Sequence, residues 1–529
     1  MAELEDNNYK SKNIAGYLAE VFLNNPLTMI FAITIILLGY ITLNIAPREE
    51  DPQIAVSGGS IIIVIPGATP EAISNVAVKP LERKIREIKG VEHIYGTAMN
   101  NVGMINVQYL IGEDRESSNL KLYDKVMQNM DNLPKGVQSP LVKPFDIDID
   151  IPVVTVAFYQ KNSTKPSTLK QYRLIRDIQQ EISAIDNVSK STLKGIHQPQ
   201  FNIDVDLDKL SSFHLSLGQI SQAVQAIANN APTINAPTSK NSIVVFGVKN
   251  SIDDIDDLRN LIIAQYMGSP IYLKNVAELH YGYDVQHFQK SQIALRDNNS
   301  TFDDPVQQVT LTVSKLKGTN AVHVAKDVID LLKDQASLLD AAGIGYIVTR
   351  NYGVRANEAV SELMHHLVIT IGIIGLILIP FLGWRESLVV SIAVPMILAT
   401  TLFIAYITDQ TINRITLFAF LLSLGLIVDD AIIVIENIHR RMHMKETEDH
   451  SFDRIIVEAT DEIGPSTNIA TIAIILTMIP MGFVGGMMGQ FMKPIPLNVP
   501  VALAVSLFVA YVFTPFLAKK MIKRGKASH

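Results

Sequence analysis

Apolar residues are crowded into a few long runs, and the stretch between the first run and the rest has the mixed pattern of a water-soluble domain. Six runs of about 20 residues can each cross a hydrocarbon core roughly 30 Å thick. The first extends from Leu27 to Ala46 without a charge. The other five fall at about 365–383, 387–408, 415–437, 467–486 and 498–518. The first run is too long for a cleaved signal peptide and follows the acidic residues Glu3, Glu5 and Asp6. It ends in Asn44-Ile45-Ala46, a poor small-x-small cleavage site, so it reads as a retained anchor.

Residues 47–364 alternate short β-branched runs with helical periodicity. Ser60–Ile65 predicts a strand, Pro66-Gly67 a turn, and Thr69–Lys89 a helix with Thr69 as N-cap and Glu71 in the first turn. Val91–Thr97 and Met104–Ile111 predict two strands turning through Asn100-Asn101-Val102-Gly103. Ser117–Met130 predicts a second helix, ended by Leu133-Pro134-Lys135-Gly136, and Val142 opens another extended stretch. This order, β-α-β-β-α-β, is the ferredoxin-like split unit. It recurs as strand Pro152–Tyr159, helix Ser167–Ile185 and strand Val188–Leu193, completed by strand Val306–Val313, helix Ala321–Leu339 and strand Ile344–Arg350. Residues 195–285 read as an inserted subdomain, with strand Gln200–Val205, helix Ser216–Ala228 and strands near Ser242–Val248 and Ile271–Val276. The expected fold class is an α-helical polytopic membrane protein of six transmembrane helices. It carries a large extracytoplasmic α+β region of ferredoxin-like units.

Composition agrees with that class. Of 529 residues, 48% are hydrophobic and 18% charged, which excludes intrinsic disorder. With no cysteine, disulfide scaffolds, Cys-based zinc sites and thiol chemistry are excluded. The formal charge of −7 gives no general attraction to nucleic acid. Lys10, Lys12, Arg440, Arg441, Lys445, Lys519, Lys520, Lys523, Arg524 and Lys526 all fall on one side of six spans, which should be the cytoplasm. Arg414 and Lys493 fall on the other.

The strongest chemical signal is in the fourth run, where Asp429 and Asp430 adjoin inside an otherwise apolar helix. One Asp near the centre of a membrane helix costs about 2.5–3.5 kcal/mol, and two charged neighbours also repel. The available relief is uptake of a proton by one or both. A carboxylate that gains and loses protons at membrane depth is what a proton-driven machine needs. Gly425, one turn before Asp429, is a candidate for close helix packing at the pair, and Glu436 lies nearer the interface. Met478, Met481, Met487, Met488 and Met492 read as packing residues rather than a soft-metal site. His365 and His366 diverge on a helix, and His214, His280, His287 and His323 lack metal-ligand spacing. The Asp146–Asp150 run reads as a solvated strand edge, and Asp253, Asp254, Asp256 and Asp257 as an acidic surface turn. The Gly525-Lys526 pair is not a P-loop, because Lys520 and Ala527 stand where the motif needs Gly and Ser or Thr. No metal and no organic cofactor are expected, and protons are the expected coupling ion.

One span, a large outer block and then five spans resemble half of a resistance–nodulation–division (RND) transporter. The stretch Gly425-Leu-Ile-Val-Asp429-Asp430-Ala-Ile-Ile-Val-Ile-Glu436-Asn437 is similar to that family's fourth-helix signature. Pro47-Arg48-Glu49-Glu50-Asp51-Pro52, Pro66-Gly67-Ala68, Gly90-Val91-Glu92 and Thr514-Pro515 support it. The resemblance implies a cytoplasmic N-terminal segment (1–26), a first helix (27–46), a first porter subdomain (47–143) and a second (144–194 with 286–364). It further implies a docking-type subdomain (195–285), helices two to six (365–518) and a basic cytoplasmic tail (519–529). It implies an inner-membrane permease of a Gram-negative cell with a periplasmic porter region, exporting small hydrophobic or amphiphilic compounds in exchange for protons through Asp429 and Asp430. It also implies a trimer with a periplasmic adaptor and an outer-membrane channel.

A family protomer carries two such halves, and its relay draws a lysine from the second. The chain is therefore expected to act as the N-terminal half beside a second RND half or homologous chain. The alternative is a non-transporting binding or assembly protein, or a truncated product. That alternative predicts tolerance of Asn or Ala at Asp429 and Asp430.

Overall fold

The computed structural model describes residues 11–522, apart from 55, 135–136, 138, 147–149, 162–168, 197–198, 229–233, 238–242, 247–253, 267, 284–289, 297–301 and 448–449. Helix α1 (Ile14–Leu23) begins at Asn13, whose side chain accepts from the amides of Ala15 and Gly16. It precedes α2 (Leu27–Ile45), the first apolar run.

The outer block opens with β1 (Ser57–Val64) and a helical stretch, α3, over residues 70–85. This stretch is built of Pro70–Ile73, a π-helical turn Ser74–Val78 and Lys79–Ile85, with Thr69 as its N-cap. A hairpin follows, β2 (Val91–Met99) and β3 (Val102–Tyr109). Its two-residue turn places Asn101 at φ 66°, a left-handed conformation that asparagine tolerates. Helix α4 (Arg115–Gln128), capped by Asp114, and β4 (Leu141–Asp146) complete an antiparallel sheet of order β2-β3-β1-β4. Strand alternation sends Ile61, Ile63, Ile105, Val107 and Tyr109 into one core with Ile73, Leu81 and Leu122 from the helices.

A second sheet is assembled from distant parts of the chain. β5 (Val154–Gln160), α5 (Leu169–Ser183) and β6 (Val188–Lys194) come first. Residues between them and the rest of that sheet form β7 (Pro199–Val205), α6 (Leu207–Ser212), α7 (Leu217–Ala228), β8 (Ile234–Pro237), β9 (Ile243–Phe246), α8 (Ile255–Arg259), β10 (Ile262–Tyr266), β11 (Ser269–Tyr272), α9 (Leu273–Val276) and β12 (Ala277–Tyr283). The stretch expected as one strand over 271–276 is thus half strand and half helical turn, since Asn275 accepts from the amide of Tyr272. The acidic run at 254–257 is a helix start rather than a turn: Asp254 and Asp257 form a capping box for α8, while Asp253 lies outside the described residues. β13 (Gln292–Ile293), β14 (Val306–Lys315), α10 (Ala321–Asp334), α11 (Ala336–Ala341) and β15 (Ile344–Asn351) complete the second sheet. Its order is β13-β14-β5-β15, with β6 also paired to β14.

β15 runs directly into α12 (Tyr352–Leu382), with Asn351 accepting from the amide of Val354. The helix therefore starts 13 residues before the apolar run, in the outer block. α13 (Trp384–Ile407) and α14 (Arg414–Met442) follow. α15 (Phe452–Met478) likewise begins 15 residues ahead of its apolar run, capped by Ser451. A short α16 (Gly486–Met492) leads to α17 (Pro494–Met521). Among the described residues, six helical stretches are long and apolar enough to cross a membrane. α17 runs through their middle: Ala502, Val509, Val512 and Phe513 pack with Ile427, Val434 and Ile438 of α14 and with Val389 and Ala393 of α13. Apolar side chains on the outside, among them Leu376, Phe381, Ile469 and Leu476, suit lipid.

Candidate functional site

Helix α14 carries the paired aspartates because nothing in its 29 residues interrupts it. Asn413 caps its start, accepting from the amides of Ile415 (3.0 Å) and Thr416 (2.9 Å). His439, Arg440 and Arg441 occupy the last turn, where cations suit the helix dipole. Adjacent residues on a helix diverge by about 100°, and this separates the two carboxylates. Asp430 is buried, 5% exposed, whereas Asp429 is exposed.

Asp430 faces a polar seam contributed by α15 and α17. Thr471 Oγ1 donates to Asp430 Oδ1 at 3.4 Å. Ser506 stands beside the same carboxylate and donates to the carbonyl of Ile427 at 2.8 Å. Further along α17, Tyr511 donates to Asn468 Oδ1 at 2.9 Å, and Thr467 is buried nearby. Among the described residues, no lysine or arginine pairs with Asp430, and its Oδ2 has no hydrogen-bond partner. A carboxylate held by hydroxyls alone is suited to exchanging a proton rather than to a permanent ion pair.

Asp429 belongs to a different surface. Phe418, Leu422, Gly425, Asp429, Ile433 and Glu436 are all exposed and recur every three or four residues, forming one open stripe along α14. A Cβ added at Gly425 would meet nothing within 4 Å. The close packing expected at Gly425 is therefore not made among the described residues.

Both ends of α14 are fastened. At the outer end Arg414 pairs with Glu50 (2.6 Å). At the C-terminal end Arg441 bonds Glu458 and Glu462, each at 2.8 Å, and Arg440 bonds Glu462 at 3.0 Å. These partners lie on α15 ahead of its apolar run, in a stretch that the expected span at 467–486 did not include. Thr471 and Ser506 were not singled out either. Their signal was available as hydroxyls embedded in otherwise apolar runs.

The weaker candidates are dispersed. His280 lies 3.4 Å from Asp204 and His366 3.8 Å from Glu362, His323 stands on α10, and His287 falls outside the described residues. Among the described residues, no group of three or more His, Asp or Glu is arranged to hold a metal ion. Met478, Met481 and Met492 pack on a small apolar cluster around Ile495 and Leu503, whereas Met487 and Met488 are exposed. Asp146 ends β4, Asp150 pairs with Lys190 (2.9 Å), and 147–149 fall outside the described residues.

An apolar helix set carrying a buried carboxylate, joined to an outer block of separate β-sheets, is consistent with the family comparison. The model of the AcrB/AcrD/AcrF family matches residues 18–529. That match covers nearly all of the sequence, so the chain belongs to the AcrB/AcrD/AcrF family of RND efflux permeases.

Proposed function

We propose that this chain drives efflux of hydrophobic or amphiphilic compounds by proton antiport, with Asp429 and Asp430 as the relay. One observation carries the reading: Asp430 is buried inside an apolar helix, and among the described residues the groups of neighbouring helices that reach its carboxylate are the hydroxyls of Thr471 and Ser506. Proton uptake there removes a buried charge, and proton release restores it. The hydrogen bonds and packing between α14 and its neighbours differ between those two states, and that difference is what does work.

The open stripe of α14 supports a companion set of helices. An aspartate on a lipid-facing surface at that depth is costly, so polar groups of a second RND half are the natural cover for Asp429. In this reading the assembly is trimeric, sits in the inner membrane, and works with a periplasmic adaptor and an outer-membrane channel. The sheet order β2-β3-β1-β4 supports a ferredoxin-like first porter subdomain over 47–143. The sheet assembled from β5, β6, β14 and β15 supports a second over 144–194 and 286–364, with 195–285 as the docking-type insert.

The test is efflux of Nile red from cells producing the complete complex. Asp430→Asn and Asp429→Asn are each expected to reduce efflux to background at unchanged membrane levels. Undiminished efflux in both variants overturns the relay.

A further inference from the structure

Glu49 and Lys315 form an ion pair whose side chains are only 5% and 7% exposed, where the membrane helices meet the outer block. Glu49 follows α2, and Lys315 is the last residue of β14 in the second sheet. Glu49 also accepts from Gln53 Nε2 (2.6 Å) and from Thr411 Oγ1 (2.9 Å) in the loop that enters α14. The backbone of this segment is bonded to the same loop. The Glu49 amide donates to Ile412 O (3.0 Å), the Ile412 amide to Pro47 O (2.8 Å), and the Arg414 amide to Glu50 O (3.1 Å). On its other side the segment holds the second outer unit. Arg48 O accepts from the amide of Ala321 at the start of α10 (3.0 Å), and Gln53 Oε1 from the amide of Gly318 (3.2 Å).

A buried ion pair is a poor device for stability alone, because desolvation offsets most of its attraction. It is a strong device for fixing two bodies in register, since separating the partners strands a buried charge. Thr411 and Ile412, at the entry to α14, are thus bonded to Glu49, and Glu49 to Lys315 of β14. We propose that Glu49 and Lys315 are positioning residues for transport, the link by which movement of the aspartate-bearing helix reaches the second outer sheet. This rests on the relay reading of Asp430.

The chain has no cysteine, so introduced cysteines report single sites. Spin labels at Leu338→Cys in α11 and Ile407→Cys at the end of α13, both exposed, measure the distance between outer unit and helix set in the complete complex. Asp430→Asn supplies the permanently neutral relay. The expected result is a shifted distance distribution on Asp430→Asn that disappears in Glu49→Gln and in Lys315→Gln, together with loss of Nile red efflux. In the charge-swapped pair Glu49→Lys, Lys315→Glu the shift on Asp430→Asn returns, and so does efflux when Asp430 is intact. A shift of the same size in the two Gln variants overturns the link. Loss of efflux without any shift on Asp430→Asn overturns the link and leaves the relay standing. Retained efflux on Asp430→Asn overturns both. Where a single variant fails to accumulate, the swapped pair decides: restored level without restored shift also overturns the link.

Discussion

Asp430 and Thr471 meet at a long 3.4 Å hydrogen bond, which makes the threonine a modest but specific partner. Thr471→Val keeps the shape and removes the donor. At this length the bond is worth no more than about 1.5 kcal/mol, the lower end for a hydrogen bond to a charged group, so efflux should fall roughly tenfold, with recovery in Thr471→Ser. A fall of equal size in both variants would assign the effect to packing instead. In the outer block, Tyr109 is fully buried and donates to the carbonyl of Ser118 at 2.9 Å. Burial, with the nearby Glu113 carboxylate second, pushes its hydroxyl up to about 12. The folded state thus favours the neutral phenol. The resulting stability is intact below about pH 10 and is lost as pH rises through 12. Tyr109→Phe should cost about 1 kcal/mol at neutral pH and remove that part of the alkaline loss, read from unfolding of the purified chain between pH 9 and 12. At this scale the aspartates were legible because charge is rare in apolar runs. Thr471, Ser506 and Lys315 were not, because a hydroxyl or a strand-end lysine acquires meaning only from what faces it.

Among the elements, α14 is a strut fastened at its N-terminal end through Glu50 and Arg414 and at its C-terminal end through Arg441, Glu458 and Glu462. Helix α2 approaches α13 through a glycine. A Cβ at Gly39 would lie 2.3 Å from the Cβ of Ala399 and 2.7 Å from its Cα. Gly39→Val must therefore push the two helices apart, at about 1–3 kcal/mol. The expected result is a lower melting temperature in detergent; an unchanged one would mean that α2 is free to move. The apolar runs of α2, α13 and α14 located their helices to within a few residues, because lipid-spanning segments must be apolar throughout. α12 and α15 were located only in part. Their polar first turns lie outside the hydrocarbon, where hydropathy carries no signal and an N-cap decides the start. Helix α1 was not anticipated at all. It is held by Asp461 of α15, which accepts from the amides of Lys12 and Asn13, 449 and 448 residues away in the chain.

For the whole molecule, the distribution of basic residues predicts one sidedness. Leu338→Cys in the outer unit should react with an impermeant maleimide in intact spheroplasts. Met444→Cys, just past α14, should react only after permeabilisation. The reverse pattern would invert the topology. The order of one apolar helix, an α+β block and five further helices was determined by the sequence alone, since burial in lipid and alternation in a sheet each impose a period that single residues display. So was the placement of two carboxylates in a membrane helix. Which aspartate is buried, which hydroxyls face it, and how Glu49 finds Lys315 were decided only by the tertiary structure. Each depends on the rotation of packed helices and on partners hundreds of residues apart, and no local period encodes that.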